Sequence, residues 1–337
     1  MLKVNFDEIK RKELETTKLK EMSLDAAHAH QLFDAKSLRS LTYGLNDETR
    51  IQLHKLEESG PLRRLMIVPN DYPEKCCELE ARFPNFSGYI NDYLLPALAL
   101  SHVRKSSFQL PPTVFVGSPG VGKTLFVSAL AETFYLDFER VNLETSQASM
   151  EFVGTARGWA NAQPGMLFRW LVRSDYANGI CVMEELDKAD DKNSRNSIVN
   201  SLLQLLEPTT SKSFGDLSIP DLKLDISKIN FMFTANTLEG VPPAVMSRVM
   251  AYEVPDLTPL QAKNVALKQY EEMLKDLNLP IAAPKLTQEG LTLLSSESPR
   301  RQRLLLQLAI GSAVYKQSTE LVFQKVNKPK KGIGFVI

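Results

Sequence analysis

Eight residues set the architecture of this chain: Gly117-Ser118-Pro119-Gly120-Val121-Gly122-Lys123-Thr124. They complete a GxxxxGKT pattern, which requires a strand directly before it and a helix directly after it. Both are predicted here, because an apolar run at residues 113–116 precedes the pattern and a helical pattern covers residues 123–134. The glycines let the backbone approach a phosphate, and successive N–H groups and the helix N-terminus then face the anion.

The pattern therefore predicts a binding site for ATP that all eight residues form. Lys123 is predicted to reach the β- and γ-phosphates, and the hydroxyl of Thr124 is predicted to be a ligand for Mg²⁺. The alternative is a glycine-rich turn between strand and helix that binds nothing.

Strand-like and helix-like segments alternate beyond that loop. Two further apolar runs, at residues 180–183 and 229–234, predict buried strands. Helical patterns at residues 164–173 and 195–206 lie between them. Because strands that alternate with helices form parallel sheets covered on both faces, residues 106–256 are predicted to be an α/β nucleotide-binding domain.

Both ends of the chain have helical patterns. Residues 1–105, with helical segments that include 24–40 and 47–58, predict a helical N-terminal accessory region. Residues 257–320 predict a small C-terminal helical lid domain. Residues 321–337 contain four lysines and predict a basic, loosely docked tail.

Two acids, Glu184 and Glu185, end the second apolar run. Ligands gather at the carboxyl ends of parallel strands, so these acids are predicted to meet the metal and the terminal phosphate. We assign Glu184 to the magnesium shell and Glu185 to activating the water that attacks the γ-phosphate. The alternative is a strand that ends in solvated acids.

These motifs resemble the AAA+ superfamily, and more closely the ATPase module of Lon-type proteases, over about residues 112–310. Residues 233–236 are similar to the sensor 1 segment, which implies that Asn236 orients the attacking water. Residues 241–248 are similar to the Lon-type segment that ends in the arginine finger, which implies that Arg248 acts in the neighbouring subunit's site. The resemblance implies a P-loop AAA+ fold and an ATPase ring, expected to be a hexamer.

The chain departs from the family pattern at two positions. The family's acidic strand ends in Asp-Glu, whereas Glu184 is one methylene longer, which leaves a slow ATPase as an alternative. The position of sensor 2 is also open. Arg300 fits best, and Arg301 and Arg303 are the alternatives.

Trp159 and Ala160 stand five residues before a Pro-Gly pair, where Lon-type modules carry the aromatic–aliphatic pair of a pore loop. The resemblance implies that these two residues line the channel of the ring and grip an extended polypeptide. Asn161 replaces the glycine expected next, and an ordinary buried tryptophan is the alternative.

The function expected from these features is an ATP-driven ring machine that remodels or threads a protein substrate selected by its N-terminal region. No Pro-Lys-Asp-Gly-Pro-Ser-like nucleophile segment is found, and the chain ends where a Lon protease domain would begin, so we expect no intrinsic peptidase. The alternative is an ATP-gated assembly or switch factor acting on a nucleic-acid or multiprotein complex, which the lysines of the tail slightly favour.

Composition argues against several other classes of protein. The formal net charge is zero, whereas a general nucleic-acid binder usually has a basic excess. The charged N-terminus lacks the apolar core of a signal peptide, and no apolar run is long enough for a membrane-spanning helix. Three cysteines without disulfide or metal spacing fit a reducing compartment, so we expect a cytoplasmic location.

Overall fold

The structure is a computed structural model that describes residues 28–38, 45–144, 148–156, 162–189, 198–277 and 283–323. Two compact units can be distinguished within the chain. The first, called the sheet unit here, falls within residues 1–81, 86–117 and 123–254. The second, called the helical unit, falls within residues 82–85, 118–122 and 255–337. The domain boundaries drawn from the sequence stay predictions.

A five-stranded parallel sheet forms the centre of the sheet unit. Its spatial order is β4 (Phe138–Asn142), β5 (Ile180–Glu184), β8 (Asn230–Ala235), β3 (Thr113–Val116) and β9 (Met250–Glu253). Strands β3, β5 and β8 are the three that the sequence predicted, whereas β4 and β9 were missed. The prediction of an α/β fold with a parallel sheet is confirmed.

The register of the sheet brings the carboxyl ends of its strands to one edge. Val116 pairs with Ala235 between β3 and β8, and Asn142 pairs with Glu184 between β4 and β5. All six residues of β8 are buried, as a strand covered on both faces requires. The residues that directly follow β3, β5 and β8 therefore lie near one another.

Helices and short strands surround the sheet in this unit. The helices are α1 (Ala35–Leu38), α2 (Asp47–Ser59), α3 (Tyr72–Arg82), α4 (Ser87–Tyr89), α5 (Leu95–Val103), α6 (Lys123–Thr133), α7 (Ala148–Val153), α8 (Met166–Arg173), α9 (Ile198–Leu206) and α10 (Pro243–Met246). A π-helical turn, Ile90–Leu94, joins α4 to α5. Two antiparallel pairs complete the unit, β1 (Ala29–Gln31) with β2 (Leu62–Arg64) and β6 (Phe214–Gly215) with β7 (Lys223–Leu224).

Apolar and aromatic side chains fix these helices on the sheet. Six of the eight residues of α8 are buried, so this helix contributes more to the core than to the surface. Phe86 stacks on Phe126 of α6 with ring centroids 4.0 Å apart, and both rings contact Phe115 of β3 edge-on. These rings hold the start of α6, and with it the end of the glycine-rich loop, against the sheet.

The sequence interpretation of residues 24–40 as helical is wrong at Ala29–Gln31, which form β1. His30 pairs with Arg63 of β2 in the strand register, and its ring also lies 2.9 Å from the carbonyl oxygen of Asp225. These contacts come from distant parts of the chain, so tertiary structure overrides the local helical preference. No helix among the described residues has the length and apolar content needed to cross a membrane.

The described part of the helical unit contains three helices, in keeping with the helical pattern of this part of the sequence: α11 (Pro259–Asp276), α12 (Gln288–Leu294) and α13 (Pro299–Lys316). Thr258 begins α11 with a capping box, in which its side chain accepts from Gln261 N and the Gln261 side chain accepts from Thr258 N. Leu294, Leu306 and Ile310 belong to the apolar cluster that joins the helices.

Candidate active site

The P-loop, residues 117–124, connects β3 to α6. A Cβ on Gly117 would lie 2.7 Å from the carbonyl oxygen of Val254, so any larger residue would force the backbone to move. Gly120 and Gly122 have φ values of 82° and 107°, which residues with a Cβ rarely adopt. The P-loop therefore requires glycine for two physical reasons: there is no space for a Cβ at Gly117, and the backbone conformation at Gly120 and Gly122 favours glycine.

The interior of the loop is braced by a residue that the sequence did not reveal. Asn85 is 5% exposed and donates from Nδ2 to Val121 O and to Pro255 O, each at 3.3 Å. Ser118 Oγ lies 3.5 Å from Asp256 Oδ2, and Val121 N donates to the Ser118 carbonyl. Pro119 occupies the turn between these points. The shape of residues 118–122 is thus set within the helical unit.

Lys123 and Asn236 are brought together at the edge of the sheet. The Lys123 amine donates to Gly117 O at 2.6 Å and to Asn236 Oδ1 at 3.2 Å, and the residue is only 9% exposed. A buried ammonium group that donates to neutral oxygens gains more from anionic ones. The position is therefore suited to a phosphate, and Asn236 lies beside it as the sequence expectation requires.

Thr124 and Glu184 are also in direct contact. Thr124 Oγ1 donates to Glu184 Oε1 at 2.5 Å, and Arg140 Nε lies 3.1 Å from Glu184 Oε2. Hydroxyl and carboxylate oxygens suit Mg²⁺. Among the described residues no group of three or more His, Cys, Asp and Glu could hold a metal by itself, so this pair would need phosphate and water to complete a magnesium shell. The oxygens of Thr124 and Glu184 are therefore suited to a magnesium ion that phosphate and water also ligate.

Glu185 follows β5 in a left-handed backbone conformation, with φ 62° and ψ 46°. This conformation costs a residue with a Cβ about 1 to 2 kcal/mol and is typical of functional sites. Its Oε2 is shielded from solvent and lies 2.7 Å from the amine of Lys188. The hydrogen bond to Glu144 and the ion pair with Glu185 raise the pKa of Lys188.

Of the three arginines considered for sensor 2, Arg300 lies beside the P-loop. A Cβ on Gly120 would lie 3.5 Å from the Arg300 Cβ and 3.2 Å from Ser298 Oγ. Arg301 Nε instead pairs with Glu297 at 3.0 Å, and Arg303 is exposed. The geometry within the helical unit therefore favours Arg300.

Arg248 lies just beyond α10 and is engaged by its own chain. Its Nε and Nη2 each lie 3.2 Å from Glu207 Oε2, and its Nη1 donates to Ala244 O at 2.9 Å. About a third of the Arg248 side chain is exposed. The guanidinium is thus accessible and held at a defined place on the surface of the sheet unit.

Trp159 and Ala160 lie outside the described residues. The segments on either side of them are tied together, because Thr155 N donates to Gln163 O at 3.0 Å and Gln163 N donates to Thr155 Oγ1 at 2.7 Å. Asp216 Oδ2 accepts from Gly165 N at 2.7 Å close by. Burial raises the pKa of Asp216 to about 6, although hydrogen bonds oppose the shift.

Comparison with known proteins bears on the same stretch of chain. Residues 113–255 match the family model described as "ATPase family associated with various cellular activities (AAA)". The peroxisomal Lon protease homolog 2 of Zea mays is 31% identical over 192 residues, 54% of this chain and 21% of the relative. The Lon protease of Nitrosococcus oceani is 33% identical over 156 residues, 46% of this chain and 20% of the relative.

The chain thus spans about a fifth of the length of the curated relatives that it matches. The matched stretch contains all five strands of the parallel sheet, including Glu184 at the end of β5. Residues 113–255 therefore form a domain that matches the AAA ATPase family model, and the similarity to Lon proteases supports a Lon-like AAA+ module in this part of the chain.

Proposed function

We propose that this chain binds ATP with Mg²⁺ on the P-loop and hydrolyses it. One observation carries the proposal: residues far apart in sequence meet where the chemistry requires them. Thr124 contacts Glu184, 60 positions away, and Lys123 contacts Asn236, 113 positions away. A P-loop without a catalytic role would not need acid and amide partners at these positions.

Each side chain has a role that follows from its contacts. Lys123 exchanges its bonds to Gly117 O and Asn236 Oδ1 for phosphate oxygens, which bind an ammonium group more strongly. Glu185 takes the proton of the attacking water, and Asn236 orients that water. Thr124 and Glu184 would hold magnesium, which when bound would supply positive charge to offset that of the phosphates.

The proposal is tested by two substitutions that separate binding from turnover. Lys123→Ala is expected to abolish nucleotide binding, whereas Glu185→Gln is expected to keep binding and to trap ATP without hydrolysing it. Lys55→Met, at an exposed position of α2, is the control and is expected to change neither property. Unchanged turnover in Glu185→Gln would remove Glu185 from its role.

We further propose that the active form is a ring, expected to be a hexamer, in which Arg248 acts on a neighbour's nucleotide. The support is that Arg248 is accessible and positioned by Glu207 on the surface of its own unit. Turnover per chain is then expected to rise with protein concentration across the assembly range. Turnover that is independent of concentration would contradict action between subunits.

The proposed work of the ring is to remodel or thread a protein substrate, selected by the N-terminal region, without cleaving it. Trp159→Ala is expected to abolish remodelling and to keep ATP hydrolysis. A switch factor on a nucleic-acid or multiprotein complex, favoured only by the four lysines of residues 325–331, would lose little in that variant. Salt-sensitive DNA binding would support the switch factor. Peptide cleavage by the purified chain would refute the absence of a peptidase.

A further inference from the structure

Lys188 holds two carboxylates at once, and one of them belongs to the proposed water-activating residue. Its amine lies 2.8 Å from Glu144 Oε1 and 2.7 Å from Glu185 Oε2. The three side chains lie next to β4 and β5, with Glu144 two residues after the end of β4. No sequence motif used above assigns a role to either Glu144 or Lys188.

Lys188 and Glu144 are about half exposed, but the backbones of both acidic residues are fixed by the fold. Glu185 is fixed by its left-handed backbone, and Lys188 N donates to Glu185 O at 2.9 Å. On the other side, Glu144 N donates to Asn142 Oδ1 at 2.8 Å, and Leu143 N donates to the carbonyl of Glu184. Glu144 is therefore held by the same strand ends that carry the candidate site.

The electrostatics of the group agree with its geometry. The hydrogen bond that Lys188 donates to Glu144 lowers the pKa of Glu144, and the two nearby carboxylates raise the pKa of Lys188. The Lys188 ammonium lies between two acids, so Glu144 keeps it from moving closer to Glu185 while it contacts one oxygen of the Glu185 carboxylate. A general base uses a single oxygen, and Oε2 is the one that Lys188 engages.

We propose that Lys188 is a positioning residue for ATP hydrolysis and that Glu144 positions Lys188. Lys188 fixes the Glu185 carboxylate through Oε2 and thereby directs Oε1 to the attacking water. Glu144 keeps the amine in place. This inference rests on the proposed function, because it presupposes that Glu185 activates water.

The bridge itself is tested first, without nucleotide. N-hydroxysuccinimide acetate modifies only unprotonated amines, so its reaction with Lys188 in the folded full-length chain, read by mass spectrometry of peptides after digestion, is expected to be slow. Glu144→Gln and Glu185→Gln are each expected to raise the labelling of Lys188 severalfold. Lys55, exposed on α2, is the control within the same sample and is expected to label equally in all three proteins. Unchanged labelling of Lys188 would overturn the bridge.

The role in hydrolysis is tested by the split between turnover and binding. Lys188→Met is expected to lower kcat roughly tenfold or more, since small misplacements of a catalytic group have effects of this size, and to leave the calorimetric Kd for ATP unchanged. Lys188→Arg, which keeps the charge, is expected to restore part of the loss. In the Lys188→Met background, Glu144→Gln is expected to cause no further decrease in kcat.

Two results would overturn the positioning role. One is that Glu144→Gln lowers kcat equally in the wild-type and the Lys188→Met backgrounds. The other is that Lys188→Met weakens ATP binding enough to account for its loss of turnover. A wild-type chain that binds ATP and does not hydrolyse it would overturn the proposed function and the positioning role together. The labelling result would then still decide whether the bridge exists, so the two failures are distinguishable.

Discussion

Asp216 links the stability of the fold to pH through its burial. The residue is 1% exposed, and its carboxylate accepts from Gly165 N, Ser218 N and Ser218 Oγ. Burial nevertheless raises its pKa from 3.8 to about 6. The folded state therefore binds the proton more tightly than the unfolded state, so the stability from this group is full below pH 3.8 and is lost as the pH rises through about 6.

The size of the effect follows from the shift. About two pKa units, at roughly 1.36 kcal/mol each, correspond to a full effect of about 3 kcal/mol, of which about 2.5 kcal/mol in the free energy of unfolding is lost between pH 4 and pH 7.5. Other groups also titrate in this range, so the test compares wild type with Asp216→Asn. Urea unfolding followed by circular dichroism is expected to show wild type losing about 2.5 kcal/mol relative to the variant over that interval.

Ser218→Ala provides a matched control for the cause of the shift. The Ser218 hydroxyl donates to Asp216 Oδ1 at 2.6 Å and lowers the pKa of Asp216 against the effect of burial. Its removal is expected to move the loss of stability to higher pH. A difference between wild type and Asp216→Asn that does not vary with pH, or that favours wild type as the pH rises, would refute the reasoning.

Three further predictions concern the candidate site. Gly117→Ala is expected to weaken ATP binding at least tenfold in calorimetry, since its Cβ would lie 2.7 Å from Val254 O; unchanged affinity would show that the cradle adjusts without cost. Arg248→Ala is expected to lower kcat by about 10³-fold with the Kd for ATP unchanged, whereas Glu207→Gln, which keeps the arginine, should lose far less. Asn85→Ala is expected to destabilise the chain by about 1 to 3 kcal/mol in thermal unfolding, because two carbonyls lose their buried donor; an unchanged Tm would contradict this.

The sequence predicted the parts of the fold that have a strong local signal. Strands β3, β5 and β8 are continuous apolar runs because they are buried on both faces, and the GxxxxGKT pattern marks its own flanks. Strand β4 reads Phe-Glu-Arg-Val-Asn, and its burial is low because it lies at the edge of the sheet. Strand β9 is the opposite edge and is only partly buried. Neither edge strand has a pattern that separates it from a loop.

Contacts of polar residues to which no motif assigned a role could not be predicted. Asn85 braces Val121 from 36 positions away, and Lys188 reaches Glu144 from 44 positions away. The sequence assigned no role to either residue, so only the folded geometry reveals its partner. The choice among Arg300, Arg301 and Arg303 was open for the same reason, because three nearby arginines look alike in sequence, whereas the structure places the Arg300 Cβ beside Gly120.

The central claim is that the P-loop holds a nucleotide triphosphate next to Lys123. Calorimetric titration of the folded chain with ATP and Mg²⁺ tests it most directly. We predict saturable binding of one ATP per chain that disappears in Lys123→Ala, while circular dichroism shows that the variant remains folded. Folded wild-type protein that releases or takes up no heat with ATP at any temperature tested, and retains no ATP on equilibrium dialysis, would contradict the account.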